Sequence, residues 1–420
     1  MKKIFSEIFF RDPASRFPSL DGIRALAIIS VIVFHGFFLV GDALEDKIKL
    51  IEFIKQLPWW LKWTYSGHYA VDAFLVLSGF LLCSALFTEY QRNNNINLRW
   101  FYVRRILRIY PLYIFALFIF VLNDFSTLKY AIISLFALNN IIPTDYMLNL
   151  NWLIAVELQF YLVIPWIVLL LKRSKYPIFW FVLFLLFSLT WRLCFIVTEP
   201  RIYNQTVLEV FIFRKYDLIL HYWKNIYVLL QSRFPAFLCG IFTAWLWVYH
   251  KSTVYKLFNN KISSNIISVL TIFAIFILFS FNIEWTAGID FSKIITKIFY
   301  IVSLVCNSFF TSILCSIIIL LTISDTNKNY WITRILSTNF LYPIAKVSYS
   351  MYLFHLAFMY FGRRIFLHGD RVSSVSLHSV LLIILFTIVT SFIFGIITYS
   401  VIERWFLTGK IKQYLEQKLS

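Results

Sequence analysis

Charge is what this sequence has least of. Only 14% of its 420 residues are Asp, Glu, Lys or Arg, while 60% are hydrophobic and the mean hydropathy is +0.75. Soluble domains carry about 25% charged residues, so an ordinary cytosolic enzyme and a disordered chain are both excluded. Glycine (11) and proline (10) are too sparse for collagen-like or linker segments. The five cysteines, Cys83, Cys194, Cys239, Cys306 and Cys315, lie in apolar runs and form no C-x-x-C pair. They read as small buried hydrophobes, and neither a disulfide framework nor a metal site is expected. The opening MKKIFSEIFFRDPASRFPS lacks the small-residue cleavage site of a signal peptide. The first apolar span is therefore expected to stay as an uncleaved anchor.

What is abundant is apolar length. Ten runs, near 20–41, 68–88, 106–122, 152–171, 177–198, 232–249, 265–283, 299–323, 341–361 and 379–402, approach the roughly 20 residues that cross a bilayer as helix. Many of the 46 Phe and 14 Trp fall where runs end, as in an interfacial belt. The expected fold is all-α: a polytopic transmembrane helical bundle, one domain over 1–420, with no appended soluble domain. The apolar stretch 130–142 is too short to span and reads as re-entrant or interfacial. The stretch 218–230 reads as interfacial, and the tail after Glu403 as a short amphipathic piece.

The net charge of +18 fits basic loops facing anionic lipid better than nucleic acid, because no basic cluster sits in a soluble domain. With the N-terminus inside, the inner segments hold 22 Lys and Arg and the outer ones 15, rim residues counted with the adjoining loop. The bias has the sign expected for two cytoplasmic termini.

Ionisable residues inside spans are functional candidates by default. Arg24 and His35 share one face of the first span, roughly 16 Å apart along its axis, and Asp21 lies on that face three residues before Arg24. Helical rise places His35, Asp72, Glu157 and His355 each roughly 6–9 Å from the outer edge of a core about 30 Å thick. Imidazole beside carboxylate is a general-base arrangement. The same spacing equally allows inter-helix hydrogen bonds that only hold the bundle together. On the inner side, Arg99, Arg104, Arg105 and Arg108 open the third span. Arg104, Arg105 and Arg108 can converge, either as a positive-inside anchor or as a phosphate site at a helix N-terminus.

These segments resemble the integral-membrane acyltransferase family 3, which includes O-antigen, macrolide and nodulation-factor O-acyltransferases. SLDGIRALAIISVIVFH is similar to the family's opening signature, with its Arg-x10-His pair at Arg24 and His35. HYAVDAFLVLSGFLL resembles a second segment, with Asp72, Ser78 and Gly79 in place, and RRILRIYP carries an Arg-x-x-Arg pair at Arg105 and Arg108. NWLIAVELQFYLVIP resembles W-S-L-S-V-E-x-Q-F-Y-L, matching at Trp152, Glu157, Gln159, Phe160 and Tyr161. VSYSMYLFH resembles a late segment containing Tyr349 and His355, and IERWF the closing segment with Glu403. Leu153 and Ala155 replace the two serines of W-S-L-S, and Trp405 replaces the closing proline.

The resemblance implies transfer of an acyl group, usually acetyl from acetyl-CoA, to a hydroxyl of a cell-surface or secreted carbohydrate or glycolipid. It implies a bacterial plasma-membrane location. Acyl-CoA would be a donor substrate, and no cofactor would be tightly bound. Arg24, Arg104, Arg105 and Arg108 would hold the CoA phosphates, and His35 would take the acceptor proton. Asp72 or Glu157 would orient His35 or position the sugar, with Asp21, Ser78, Tyr161, Tyr349, His355 and Glu403 in support. The alternative class is a transporter or flippase, whose folds often show internal repeats and broken helices; neither is visible here.

Overall fold

The structure, a computed structural model, describes residues 2–12, 17–46, 48–142, 151–213, 215–367, 369 and 371–408. Among them are ten helices of 20 residues or more, numbered here α1 to α10. The first five are α1 (Pro18–Ala43), α2 (Ala70–Asn93), α3 (Leu98–Asn123), α4 (Trp152–Arg173) and α5 (Pro177–Val197). They are followed by α6 (Leu230–Tyr249), α7 (Lys261–Ser280), α8 (Ile294–Ser324), α9 (Leu341–Leu367) and α10 (Leu377–Thr398). Each expected span lies on one of them. Nine are long and apolar enough to cross a membrane. The exception is α9: its 27 residues rise roughly 40 Å, but they include Lys346, Ser348, Ser350, His355, Arg363 and Arg364. The described residues between the long helices form only short helices and turns, so no soluble domain is present among them.

Large apolar side chains such as Phe118, Leu162, Phe179, Leu270 and Ile295 are exposed around the bundle. A soluble monomer does not carry such a surface, and lipid does not penalise it. The chain is an integral membrane protein. Four cysteines lie in or beside the packed interior, but Cys194 on α5 is exposed on this outer surface, against expectation. It lies on a peripheral helix whose apolar residues meet lipid instead of protein.

Helices α2 and α6 cross in close contact, and glycine makes it possible. A Cβ at Gly240 would sit 2.2 Å from the Val76 carbonyl oxygen, and one at Gly79 would sit 2.6 Å from that of Phe237. Small residues let two backbones touch where lipid offers no hydrophobic drive to association. Beside this crossing the rings of Phe160 (α4) and Phe237 (α6) stack with centroids 3.7 Å apart. Helix α9 packs against α1 and α10, which carries its polar face into the centre.

The stretch 130–142 does not span. It forms the helix Leu128–Leu135 and then turns. Gln159 on α4 pins it: Nε2 donates to Ala137 O at 2.7 Å and to Asn140 Oδ1 at 2.8 Å. The stretch 218–230 covers the end of the helix Tyr216–His221, the π-helical turn Tyr222–Tyr227 and the start of α6. Beyond Thr408 the expected amphipathic tail lies outside the described residues.

Candidate active site

Two histidines meet between α1 and α9. His35 Nδ1 lies 3.0 Å from Val31 O and 3.2 Å from His355 Nε2. His355 Nδ1 lies 2.7 Å from Tyr352 O. A carbonyl can only accept, so each Nδ1 carries the proton. His355 Nε2 is then a lone pair that accepts from His35 Nδ1–H, and His35 Nε2 keeps its own lone pair. His355 is 1% exposed, whereas His35 is only half-buried. The geometry is that of a base whose orientation is fixed by a second, buried ring.

Neither carboxylate expected beside His35 bonds to it. Asp72, fully buried at the start of α2, accepts from Arg233 Nη1 at 2.9 Å. Arg233 also donates from Nε to Tyr227 O at 2.7 Å, and its guanidinium stacks 3.9 Å over the Tyr227 ring. A second carboxylate, Glu284, joins the same region after α7. It accepts from Tyr69 Oη at 2.5 Å and from Asn307 Nδ2 at 3.3 Å, and it lies 3.9 Å from His68 Nε2. Arg192 on α5 donates to Leu304 O at 2.6 Å. Asp72 and Glu284 thus face Arg192 and Arg233 with no net charge left over.

Glu157 also lies away from His35. Ser78 Oγ donates to it at 2.8 Å, and Tyr161 Oη donates to the same oxygen. It is within electrostatic reach of Arg24 and Arg105. Depth had placed Glu157 with the histidines, but α4 delivers it to the arginines.

That arginine cluster gathers at the N-terminal end of α1. Arg24 interacts with Arg108, and Arg105 with both Arg104 and Arg108. The Arg105 guanidinium lies 5.9 Å from the Tyr161 ring centroid. Lys346 and Arg108 act on Glu403, which is 6% exposed in a π-helical turn and has Oε1 without a hydrogen-bond partner. Tyr349 Oη donates to Ile109 O at 3.1 Å, joining α9 to α3. Asp21, on the same face as Arg24, acts on it electrostatically, while its hydrogen bond comes from Arg11 Nε at 3.0 Å. The Nε atoms of Arg104 and Arg105 are buried without a partner among the described residues. Between Arg24 and His35, on the same face of α1, Ile28 and Val31 are completely buried.

Sequence reasoning missed Arg233 and Glu284 as site residues. Each stands at the rim of an apolar run, where the rule that flags charge inside a span depends on where the span is drawn. His68 and Tyr69 carried no signal of their own. Among the described residues no group of three His, Cys, Asp or Glu could hold a metal ion.

A helical membrane bundle with a histidine pair and an unneutralised arginine cluster at different depths is a membrane protein built around a buried polar site. The chain belongs to the acyltransferase family whose motifs it carries: residues 17–399 match the family model described as an acyltransferase domain. It is 33% identical over 243 residues to an uncharacterized protein of Haemophilus influenzae, covering 52% of this chain and 91% of that one. A Staphylococcus aureus protein named "Putative O-acetyltransferase" is 24% identical over 391 residues, 84% of this chain and 52% of its own length. The peptidoglycan O-acetyltransferase OatA of Listeria monocytogenes is 30% identical over 183 residues, 38% of this chain and 25% of that protein. The chain thus spans about half the length of the staphylococcal relative and a quarter of the listerial one. No solved structure matches it.

Proposed function

We propose that this protein moves an acetyl group from acetyl-CoA to a carbohydrate hydroxyl, with His35 as the general base. The observation that carries the reading is the charge imbalance of the arginine cluster. Arg24, Arg104, Arg105, Arg108 and Lys346 face Glu157 and Glu403. Asp21 and Glu7 also act on this group but are paired with Arg11 and Arg404, so a surplus of three positive charges is left among the described residues. The cluster around Asp72 is neutral by contrast. A surplus of guanidinium groups, half-buried at Arg24, Arg104 and Arg105 and exposed at Arg108, suits a polyanion, and CoA brings a diphosphate and a further phosphate. The relatives named as O-acetyltransferases favour acetyl as the group and a glycan as the acceptor.

Helix α1 links the two ends of the reaction. A pantetheine arm along it would carry the thioester from Arg24 to His35, roughly 16 Å. His35 Nε2 removes the proton from the acceptor hydroxyl, and the oxygen attacks the thioester carbonyl. The C–S bond breaks, and the departing thiolate takes the proton back from the imidazolium. Oxygen acetylation and free CoA are the balanced result. His355 accepts from His35 Nδ1–H throughout and stabilises the transient cation. Glu157, held by Ser78 and Tyr161, positions the donor end, and Asp72 fixes Arg233. A bacterial plasma membrane with cytoplasmic termini completes the reading, because it turns the arginines toward the compartment that holds acetyl-CoA.

Direct binding tests it. Arg105→Ala and Arg108→Ala each remove a charge-assisted contact, so acetyl-CoA affinity should fall roughly 10- to 150-fold. Lysine should rescue only partly, lacking the fork. Unchanged affinity in the double alanine variant would overturn the donor site.

A further inference from the structure

A cavity of about 110 Å³ opens at the end of the bundle where α1 finishes, apart from the histidine pair and the arginine cluster. It has room for several water molecules or one ring-sized group. Two of its wall groups are buried polar atoms without partners among the described residues: Trp285 Nε1 and Ser280 Oγ. Both side chains are more than nine-tenths buried, at 8% and 9% exposure. Leaving such groups unbonded is costly, so a ligand that supplies partners is favoured. The other wall groups are already fixed. Ser66 Oγ donates to Phe279 O at 2.8 Å and accepts from Asn282 Nδ2 at 3.0 Å.

The remaining chemistry narrows the ligand. Trp285 supplies aromatic surface, backed by the buried Tyr65 ring 5.4 Å away, and sugars present C–H faces that pack on such rings. Lys55 and Lys62 line the cavity and are exposed, while no Asp or Glu lines it. Phe34 stands between the cavity and the candidate base: its centroid is 6.3 Å from Trp285 and 5.1 Å from the His35 ring. A group seated here would lie one aromatic ring from the reacting hydroxyl.

We propose that this cavity is a subsite for an anionic sugar residue of the acceptor, an assignment that rests on the carbohydrate reading above. The ring packs on Trp285. Its hydroxyls bond to Trp285 Nε1 and Ser280 Oγ, and its carboxylate or phosphate pairs with Lys55 and Lys62.

The test is calorimetric titration of the whole chain in zwitterionic nanodiscs. The probes are tetragalacturonate, a phosphorylated maltotetraose and neutral maltotetraose. One or both charged probes should bind roughly tenfold more tightly than the neutral one, and which of them does so separates carboxylate from phosphate. Lys55→Gln with Lys62→Gln should abolish that preference. Trp285→Ala should weaken every probe, and Trp285→Phe, which keeps the ring but loses the N–H, should weaken them less. Acetyl-CoA binding on the same samples should stay at the parent level, which guards against misfolding. Equal binding of charged and neutral probes, no binding at all, or an unaffected Trp285→Ala protein would overturn the subsite. So would a response only to phosphatidylglycerol added to the discs. Loss of the sugar preference with acetyl-CoA binding intact leaves the donor reading standing; a parent protein that takes the sugar but not acetyl-CoA does the reverse.

Discussion

At the scale of single residues, the histidine pair makes a separable prediction. His35→Ala should bind acetyl-CoA like the parent, while single-turnover transfer falls by about 10²–10⁴, the range for a positioned general base. Glutamine at 35 cannot take a proton at neutral pH, so His35→Gln should be nearly as inactive; an active His35→Gln protein would return the ring to a packing role. His355→Ala removes one of the two acceptors near His35 Nδ1–H and leaves Val31 O in place; transfer should drop by roughly 10- to 100-fold, as for other partners that orient a working histidine. His355→Gln keeps a carbonyl acceptor and should recover part of that loss in the same assay. Parallel loss of acetyl-CoA binding would mean that both rings serve folding. The two histidines were legible in the sequence because both fall at similar depth in apolar runs. Their direct contact was not, since depth says nothing about which helices are neighbours.

At the scale of helices, the α2–α6 crossing holds the site. Ser78, which positions Glu157, is next to Gly79, and Arg233, which holds Asp72, is on the facing helix. Gly240→Ala would press a methyl group into the Val76 carbonyl, 2.2 Å away. Overpacking of this kind costs about 1–3 kcal/mol, so the melting temperature in detergent should fall and acetyl-CoA binding should weaken with it. An unshifted melting curve would mean that the helices separate freely. The helices themselves were readable because apolar runs of bilayer length have few other solutions. The neighbours of the carboxylates were not. An error of three residues in a span boundary moves a group by about 5 Å, enough to place Glu157 with the histidines instead of the arginines. Asp72 has Arg233 as its partner only because two glycines, far apart in sequence, bring α2 and α6 together.

At the scale of the whole molecule, orientation decides which side sees the donor. Lys62→Cys, at the end where α1 finishes, should react with an impermeant maleimide on intact cells. Thr326→Cys, exposed after α8 at the opposite end, should react only after permeabilisation. The reverse pattern would place the arginines outside and rule out cytoplasmic acetyl-CoA as their ligand. Whichever way the bundle points, the buried pair Ile28 and Val31 has a further consequence. A protein that is wet at both ends and polar at two depths risks becoming a leak for protons and ions, which would discharge the membrane around it. Aliphatic side chains between Arg24 and His35 act as an electrical insulator on that face of α1. On this view the donor arm would have to displace the insulation and take its place, so that the passage is sealed by protein when idle and by substrate when at work.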